Sequence, residues 1–257
     1  ISFSIITVTY NSKDQLLKTI NSVQTQSYKN FTHIIKDGLS KDNTNKIDFR
    51  KYLNIKFYES KDNGVYDAMN QALNFASNEY IIYLNSGDVF FSRNTLNNLA
   101  NLINKHPNNN CYIGGTIQID SEKNNILRLM GIGFLYKFLP LVQLPHPSLI
   151  IRKSTLKQLK IPFDPTLKIA SDYKQQLILR KKNLFKIYHS NLIVSLMPIG
   201  GISNINKFSI LYGYKETLIF SFRLFNILCL YIIFLKIILN LYSKLMIYKI
   251  RYLKIFY

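Results

Sequence analysis

The chain has 257 residues, 47% of them hydrophobic, and a formal net charge of +19. That length and apolar content supply a sizeable core in one large or two small domains and exclude a disordered tail. The basic excess does not read as a nucleic-acid arm: from Asn204 to Tyr257, eight Lys/Arg against one acid, Glu216, accompany long apolar runs, a combination suited to an anionic membrane surface.

Phe3 to Thr9 is a continuous apolar and β-branched run, the pattern of a central parallel strand. Asn11 or Ser12 is placed to cap a helix whose apolar residues Leu16, Leu17, Ile20 and Val23 fall at helical spacing. Phe31 to Lys36 and Ile55 to Tyr58 read as strands, Val65 to Ala76 as a helix, Tyr80 to Leu84 as a strand, and Arg93 to Lys105 as a helix. This alternation predicts an α/β fold with a parallel sheet covered on both faces. After His106–Asn110 the pattern changes: Cys111 to Ile119, Ile126 to Met130 and Ile193 to Met197 read as strands of a smaller, mixed half, with a helix over Ser171 to Lys181. Cys111 and Cys229 lie in dissimilar apolar contexts and read as buried reduced thiols, with no disulfide framework or zinc spacing. The N-terminal residues lack a charged segment and an apolar core of signal-peptide length, so a cytoplasmic location is expected.

The final segment, Leu224 to Ser243, is long enough to span a bilayer. Yet Arg223, Asn226, Lys236, Asn240, Ser243 and Lys244 fall within one arc of roughly 160° on a helical projection. A polar stripe of that kind favours a helix lying in the membrane interface over a spanning helix or one packed on the protein or a partner subunit. Residues 218–257 are therefore expected to form a basic, amphipathic helical tail behind a domain of residues 1–217. That domain divides into a nucleotide half near 1–110 and an acceptor half near 111–217.

The chemistry-bearing residues gather where strands end. In open α/β sheets ligands bind outside the carboxyl ends of strands, and Thr9-Tyr10-Asn11, Asp37 and Asn85-Ser86-Gly87-Asp88 all sit there. A Tyr ring can stack on a base, and an Asp carboxylate can accept from a ring N–H. Asp62-Asn63-Gly64 opens a helix on which Asp67 and Asn70 share a face, so that both could reach one ligand. The free N–H groups of a helix start suit phosphate. Asp88 is a candidate ligand for a hard cation, which needs few protein ligands when diphosphate and water supply the rest. Asp172, at the start of the Ser171 helix, offers a partly shielded base. Helix capping and turn formation explain each of these residues taken singly; the accumulation points to a nucleotide bearing a sugar.

In order, TVTYN, DGLSKDNT, ESKDNGVYDAMNQAL, YIIYLNSGD, HPS, ASDY and GGIS resemble the family 2 glycosyltransferases of bacterial polysaccharide assembly, over roughly Ile1 to Glu216. The resemblance implies a GT-A fold, a Rossmann-like nucleotide half joined to an acceptor half. It implies that Thr9, Tyr10 and Asn11 contact the nucleoside, that Asp37 pairs with a uracil ring, and that Asp62, Gly64, Asp67, Asn70, Ser86 and Gly87 lie near the donor. It makes Asp88 the ligand of Mg²⁺ or Mn²⁺, although Asn85-Ser86-Gly87 replaces the family's usual Asp-x-Asp. It makes Asp172 the base of an inverting displacement, with Ser171 replacing the commoner first acid. His146 matches a segment facing the acceptor, as ligand or as loop brace; Tyr173 falls on the acceptor side, and Gly200 and Gly201 resemble a loop able to close over the donor. The Gln-x-x-Arg-Trp pattern of processive synthases is absent, since the chain has no Trp, which implies single addition. The expected partners are a nucleotide-sugar, most simply a UDP-sugar, a glycan or lipid-linked acceptor, and an anionic membrane surface, with a homodimer contact as another use of the tail. The expected location is peripheral, on the cytoplasmic face of the plasma membrane. A nucleotidyltransferase lacks its Gly-rich loop here; the main alternative is a catalytically inactive sugar-binding or membrane-scaffold protein.

Overall fold

The computed structural model describes residues 1–120, 122–123, 125–200 and 207–252. The first apolar run forms β1 (Phe3–Thr9), buried along its whole length. It leads into α1 (Lys13–Gln24), β2 (Phe31–Asp37), β3 (Ile55–Glu59), α2 (Val65–Leu73) and β4 (Tyr80–Tyr83). β2 and β4 flank β1 in parallel and β3 pairs with β2, giving the order β3-β2-β1-β4. Successive residues of β1 serve opposite layers. Ile5 packs with Val23 of α1, and Ile6 and Val8 with Ala68, Met69 and Ala72 of α2. A strand covered on both sides has no solvent face, which is why its sequence shows no alternation.

The second half comprises β5 (Val89–Phe90), α3 (Thr95–Lys105), β6 (Cys111–Asp120), β7 (Asn125–Met130), α4 (Phe134–Phe138), β8 (Leu149–Arg152), α5 (Lys153–Leu156), α6 (Ser171–Lys181) and β9 (Ile187–Pro198). β8 inserts antiparallel between β4 and β6, so the parallel sheet continues as a mixed one, β4-β8-β6-β9-β5, with β7 on β6. Neither β5 nor β8 is expected from the sequence. Both are short, and their pairing partners lie far away in the chain. The late strand also begins at Ile187 rather than Ile193, and α2 ends at Leu73 rather than Ala76.

The expected C-terminal helices are two. α7 (Lys207–Phe225) and α8 (Leu228–Tyr252) are joined through Asn226, whose φ of 49° ends the first helix. The expected division at 217/218 falls within α7. Half of the stripe turns inward, while Arg223, Asn226 and Lys244 remain exposed. Lys236 Nζ donates to Thr217 Oγ1 at 2.9 Å, Asn240 Oδ1 accepts from Arg128 Nη1 at 3.1 Å, and Ser243 is buried. Arg128 on the body needs a partner in an enclosed place, and Asn240 provides it. The outward face is apolar, with Leu230, Phe234, Leu241 and Leu245 each more than half exposed. By length and composition, Leu228–Ile247 is also sufficient to cross a membrane.

Candidate active site

The carboxyl ends of β1, β2 and β3 are tied together by their loops. Thr9 Oγ1 bonds Ser12 Oγ at 2.8 Å, the Asn11 N–H donates to Ser40 Oγ, and Asn11 Oδ1 accepts from the Lys41 N–H. Ser12 occupies the cap position of α1, but its hydroxyl reaches Ser86 Oγ (3.1 Å) instead of capping the helix. Asp37 is fully buried at the end of β2, and its carboxylate accepts from the Ser40 N–H (2.7 Å) and hydroxyl (2.5 Å). A Cβ placed on Gly38 would stand 2.8 Å from Asp62 Oδ2 and 3.2 Å from Tyr10 Cδ2. Tyr10, Gly38 and Asp62 therefore meet beside Asp37, with the Tyr10 ring exposed.

Beneath them lies an ion pair that sequence reasoning missed. Lys36 Nζ, fully buried, donates to Asp62 Oδ2 at 2.8 Å and to the carbonyls of Asp37 and Ser60. It joins the loops after β2 and β3, and Asp62 Oδ1 in turn accepts from the N–H of Gly64 at the start of α2. Asp62→Ala is expected to strand the Lys36 ammonium and to destabilise the protein by roughly 3–5 kcal/mol. Urea unfolding measures this, and a loss below 1 kcal/mol would show that water reaches the ammonium.

The Asn85–Asp88 turn is mounted on α1. The Thr19 hydroxyl donates to the Asp88 carbonyl (2.8 Å) and accepts from the Gly87 N–H (2.9 Å). Gly87 has φ 98°, a region where an L side chain is strained, so the turn depends on glycine there. No side chain donates to the Asp88 carboxyl and no ion pair holds it among the described residues. Burial pushes its carboxyl from 3.8 up to about 7, with a hydrogen bond from the Asn85 backbone acting the other way. Asn85 Oδ1 is likewise buried without a partner. No cluster of three His, Cys, Asp or Glu suited to a metal occurs among the described residues. The fit to a divalent cation is therefore that of one under-compensated carboxylate, with an amide oxygen nearby in sequence and diphosphate and water as the remaining ligands.

Asp172, the second residue of α6, lies beside Tyr66 of α2. Tyr66 Oη donates to the Ile169 carbonyl at 2.5 Å and stands 3.5 Å from Asp172 Oδ1. A ring cluster links this place to the end of β4: Tyr66 stacks on Phe163 (5.9 Å between centroids), Phe163 meets the Tyr83 ring edge-on, and His146 stacks on Tyr83 at 5.0 Å. Both nitrogens of His146, the Tyr83 hydroxyl and the Ser171 hydroxyl are covered and lack partners among the described residues. Burial holds the imidazole below its ordinary pKa, with Asp172 acting the other way, so His146 is neutral at physiological pH.

Several expected residues have other uses. Asp67 Oδ2 accepts from the Asn63 N–H at 2.8 Å and braces the start of α2. Asn70 pairs with both backbone groups of Phe163. The two share a helix face, and each is bonded to backbone of the protein itself. Tyr173 turns into the interior, where its hydroxyl donates to the Leu141 carbonyl and its ring meets Phe220 of α7 edge-on. Gly200 follows β9, whose Pro198 lies near Gly87; Gly201 lies outside the described residues. Lys36, Thr19, Tyr66 and Tyr83 are the residues to which the sequence reading gave no role. Tyr66 and Tyr83 stand inside quoted motifs and Lys36 directly before one, but which partners each side chain meets depends on the fold and is invisible in one sequence.

Comparison with known proteins fits this arrangement. A family model described as glycosyl transferase family 2 matches residues 4–161, more than half of the chain. An uncharacterized glycosyltransferase of Rickettsia conorii is 29% identical over 127 residues, 49% of this chain and 21% of that protein. A PGL/p-HBAD biosynthesis glycosyltransferase of Mycobacterium bovis is 25% identical over 207 residues, 79% of each. The crystal structure of S. aureus TarS 1–349 in complex with UDP superposes with a TM-score of 0.65 at 20% identity, covering 86% of this chain and 64% of that one. The chain thus spans only about a fifth of the length of the Rickettsia relative.

Proposed function

The chain belongs to glycosyl transferase family 2 and has the GT-A fold; from that premise we propose that it is an inverting transferase that moves one sugar from a nucleotide-sugar to a glycan or lipid-linked acceptor in surface polysaccharide assembly. The observation that carries the reading is the convergence of Tyr10, Asp37 and Asp62, the Asp88 turn and Asp172 at one end of the sheet. A UDP-sugar is the simplest donor, its base against Tyr10 and Asp37 and its diphosphate toward Asp88. Asp172 takes the proton from the acceptor hydroxyl as that oxygen bonds the anomeric carbon, while the bond to the diphosphate breaks and the nucleoside diphosphate leaves. The ring cluster of Tyr66, Phe163, Tyr83 and His146 excludes water beside the base. Mg²⁺ or Mn²⁺ held by Asp88 would neutralise charge on the departing diphosphate.

Calorimetry with UDP-, GDP- and dTDP-sugars, with and without Mn²⁺, tests this. Binding of one nucleotide class by the wild type, lost in Asp88→Asn, supports the reading. A folded protein that binds no donor would instead be a non-catalytic sugar-binding or scaffold protein.

The tail fits a peripheral place on the cytoplasmic face of the plasma membrane. Its outward apolar face is bordered by exposed Lys215, Arg223 and Lys244, so burial of apolar surface and attraction to anionic lipid act together. Phe234→Asp combined with Leu241→Asp is expected to weaken binding to phosphatidylglycerol vesicles at least tenfold with little change in Tm, because both side chains are exposed. Unchanged vesicle co-sedimentation would remove the membrane as the occupant of this face.

A further inference from the structure

Glu216 is the single acid among the eight basic residues of the C-terminal segment, and it is buried. A carboxylate inside a helix pair of this composition needs a strong reason to be there. It accepts three consecutive backbone N–H groups: Lys168 to Oε1 at 2.6 Å, Ile169 to Oε2 at 3.0 Å and Ala170 to Oε2 at 2.9 Å. Those three residues form the turn that delivers Ser171 and Asp172 into the first turn of α6. Such convergent N–H groups form an anion-binding nest, here closed by a side chain of the same molecule.

The same turn is held from its other side, since the Ile169 carbonyl accepts from Tyr66 Oη at 2.5 Å. α7 approaches the turn closely because residue 213 is glycine: a Cβ there would stand 3.0 Å from Ile169 Cγ2. α8 then locks α7 in place. Lys236 Nζ donates to Thr217 Oγ1, the residue after Glu216, and lies over the Tyr173 and Tyr214 rings at 5.8 and 5.2 Å.

We propose that Glu216 is a positioning residue for Asp172, so that the outer helix pair is part of the catalytic apparatus as well as its lipid-facing side. The inference rests on Asp172 acting as the base, as in the function proposed above. Glu216 touches no substrate. It sets where the base stands by fixing the backbone two to four residues before it, and a misplacement of about 1 Å at a reacting group costs on the order of a hundredfold in rate.

The test uses the full chain in lipid vesicles, as Glu216→Gln, Glu216→Asp and Gly213→Ala. Glu216→Gln turns an amide N–H toward backbone N–H donors. It is expected to lower kcat at least tenfold, to leave donor KM and donor Kd within twofold, and to speed hydrogen exchange of the 168–170 amides at least tenfold. Glu216→Asp, which keeps both acceptor oxygens, recovers part of the kcat. Should Glu216→Gln fail to fold, Gly213→Ala, which presses α7 away from Ile169, carries the same expectation in kcat and exchange. A kcat within twofold of wild type overturns the proposal, as does a parallel fall of Tm, donor affinity and kcat, which marks a general stabiliser. A wild type that turns over no donor sinks the transferase reading, and with it the base on which this inference rests, whereas an active wild type with fully active variants sinks the inference alone.

Discussion

Asp172→Asn is expected to reduce sugar transfer by about a thousandfold, in the middle of the range that a positioned general base contributes, while donor affinity stays within twofold of wild type. The asymmetry follows from place. Tyr10, Asp37, Asp62 and the Asp88 turn are mounted on β1, β2, β3, β4 and α1, whereas Asp172 is mounted on α6 and reaches the site beside Tyr66. Asparagine has the same shape and retains an oxygen toward Tyr66 Oη, so packing is preserved. What it lacks is the ability to take a proton from the acceptor hydroxyl. Radiolabelled-sugar transfer gives kcat and calorimetry gives donor Kd. Activity within tenfold of wild type would remove Asp172 as the base. An equal loss of donor affinity would reassign it to donor binding.

How much of this was legible in the sequence depends on the range of the interaction. β1, β2, β4 and α6 were readable because periodicity and apolar runs record burial locally, and α6 begins and ends where expected. β8 was not: its four residues Leu149–Arg152 are a strand only because β4 and β6 receive them on either side. The same limit applied to side chains. That Asn70 and Asp67 share a helix face is a local fact, but Phe163, which takes up Asn70, is brought there by the fold. The tail shows the limit most clearly. A helical projection reveals that Lys236, Asn240 and Ser243 lie on one side; it does not say whether that side meets water or protein. Arg128 and Thr217 decide it. Glu216 did leave a signal, a lone acid in a basic apolar segment, whose meaning depended on knowing that the 168–170 turn lies against it.

Asp88→Asn is expected to do two opposite things: to abolish most transfer and to stabilise the metal-free protein above neutral pH. Burial raises the Asp88 carboxyl from 3.8 to about 7. Between those values the folded chain holds a proton that the unfolded chain has released, so wild-type stability falls as pH rises through this interval, and the full cost is present above pH 7. A displacement of that size corresponds to at most about 4 kcal/mol. Asparagine does not titrate, so in EDTA the Tm of the variant should exceed that of the wild type at pH 8, with the gap closing toward pH 4. Mn²⁺ with a nucleoside diphosphate should close the gap at pH 8 from the other direction, by binding the wild type and not the variant. The activity loss, on the order of a hundredfold or more, is what removing charge stabilisation at a departing diphosphate predicts. A variant no more stable than wild type at pH 8 would mean that the carboxylate already has a partner and is not held ready for a cation. A stabilised but fully active variant would mean that the buried charge serves no step of the transfer. Only the combination of higher metal-free stability and lost transfer fits a carboxylate kept under-compensated in the protein so that a bound cation and diphosphate can complete it.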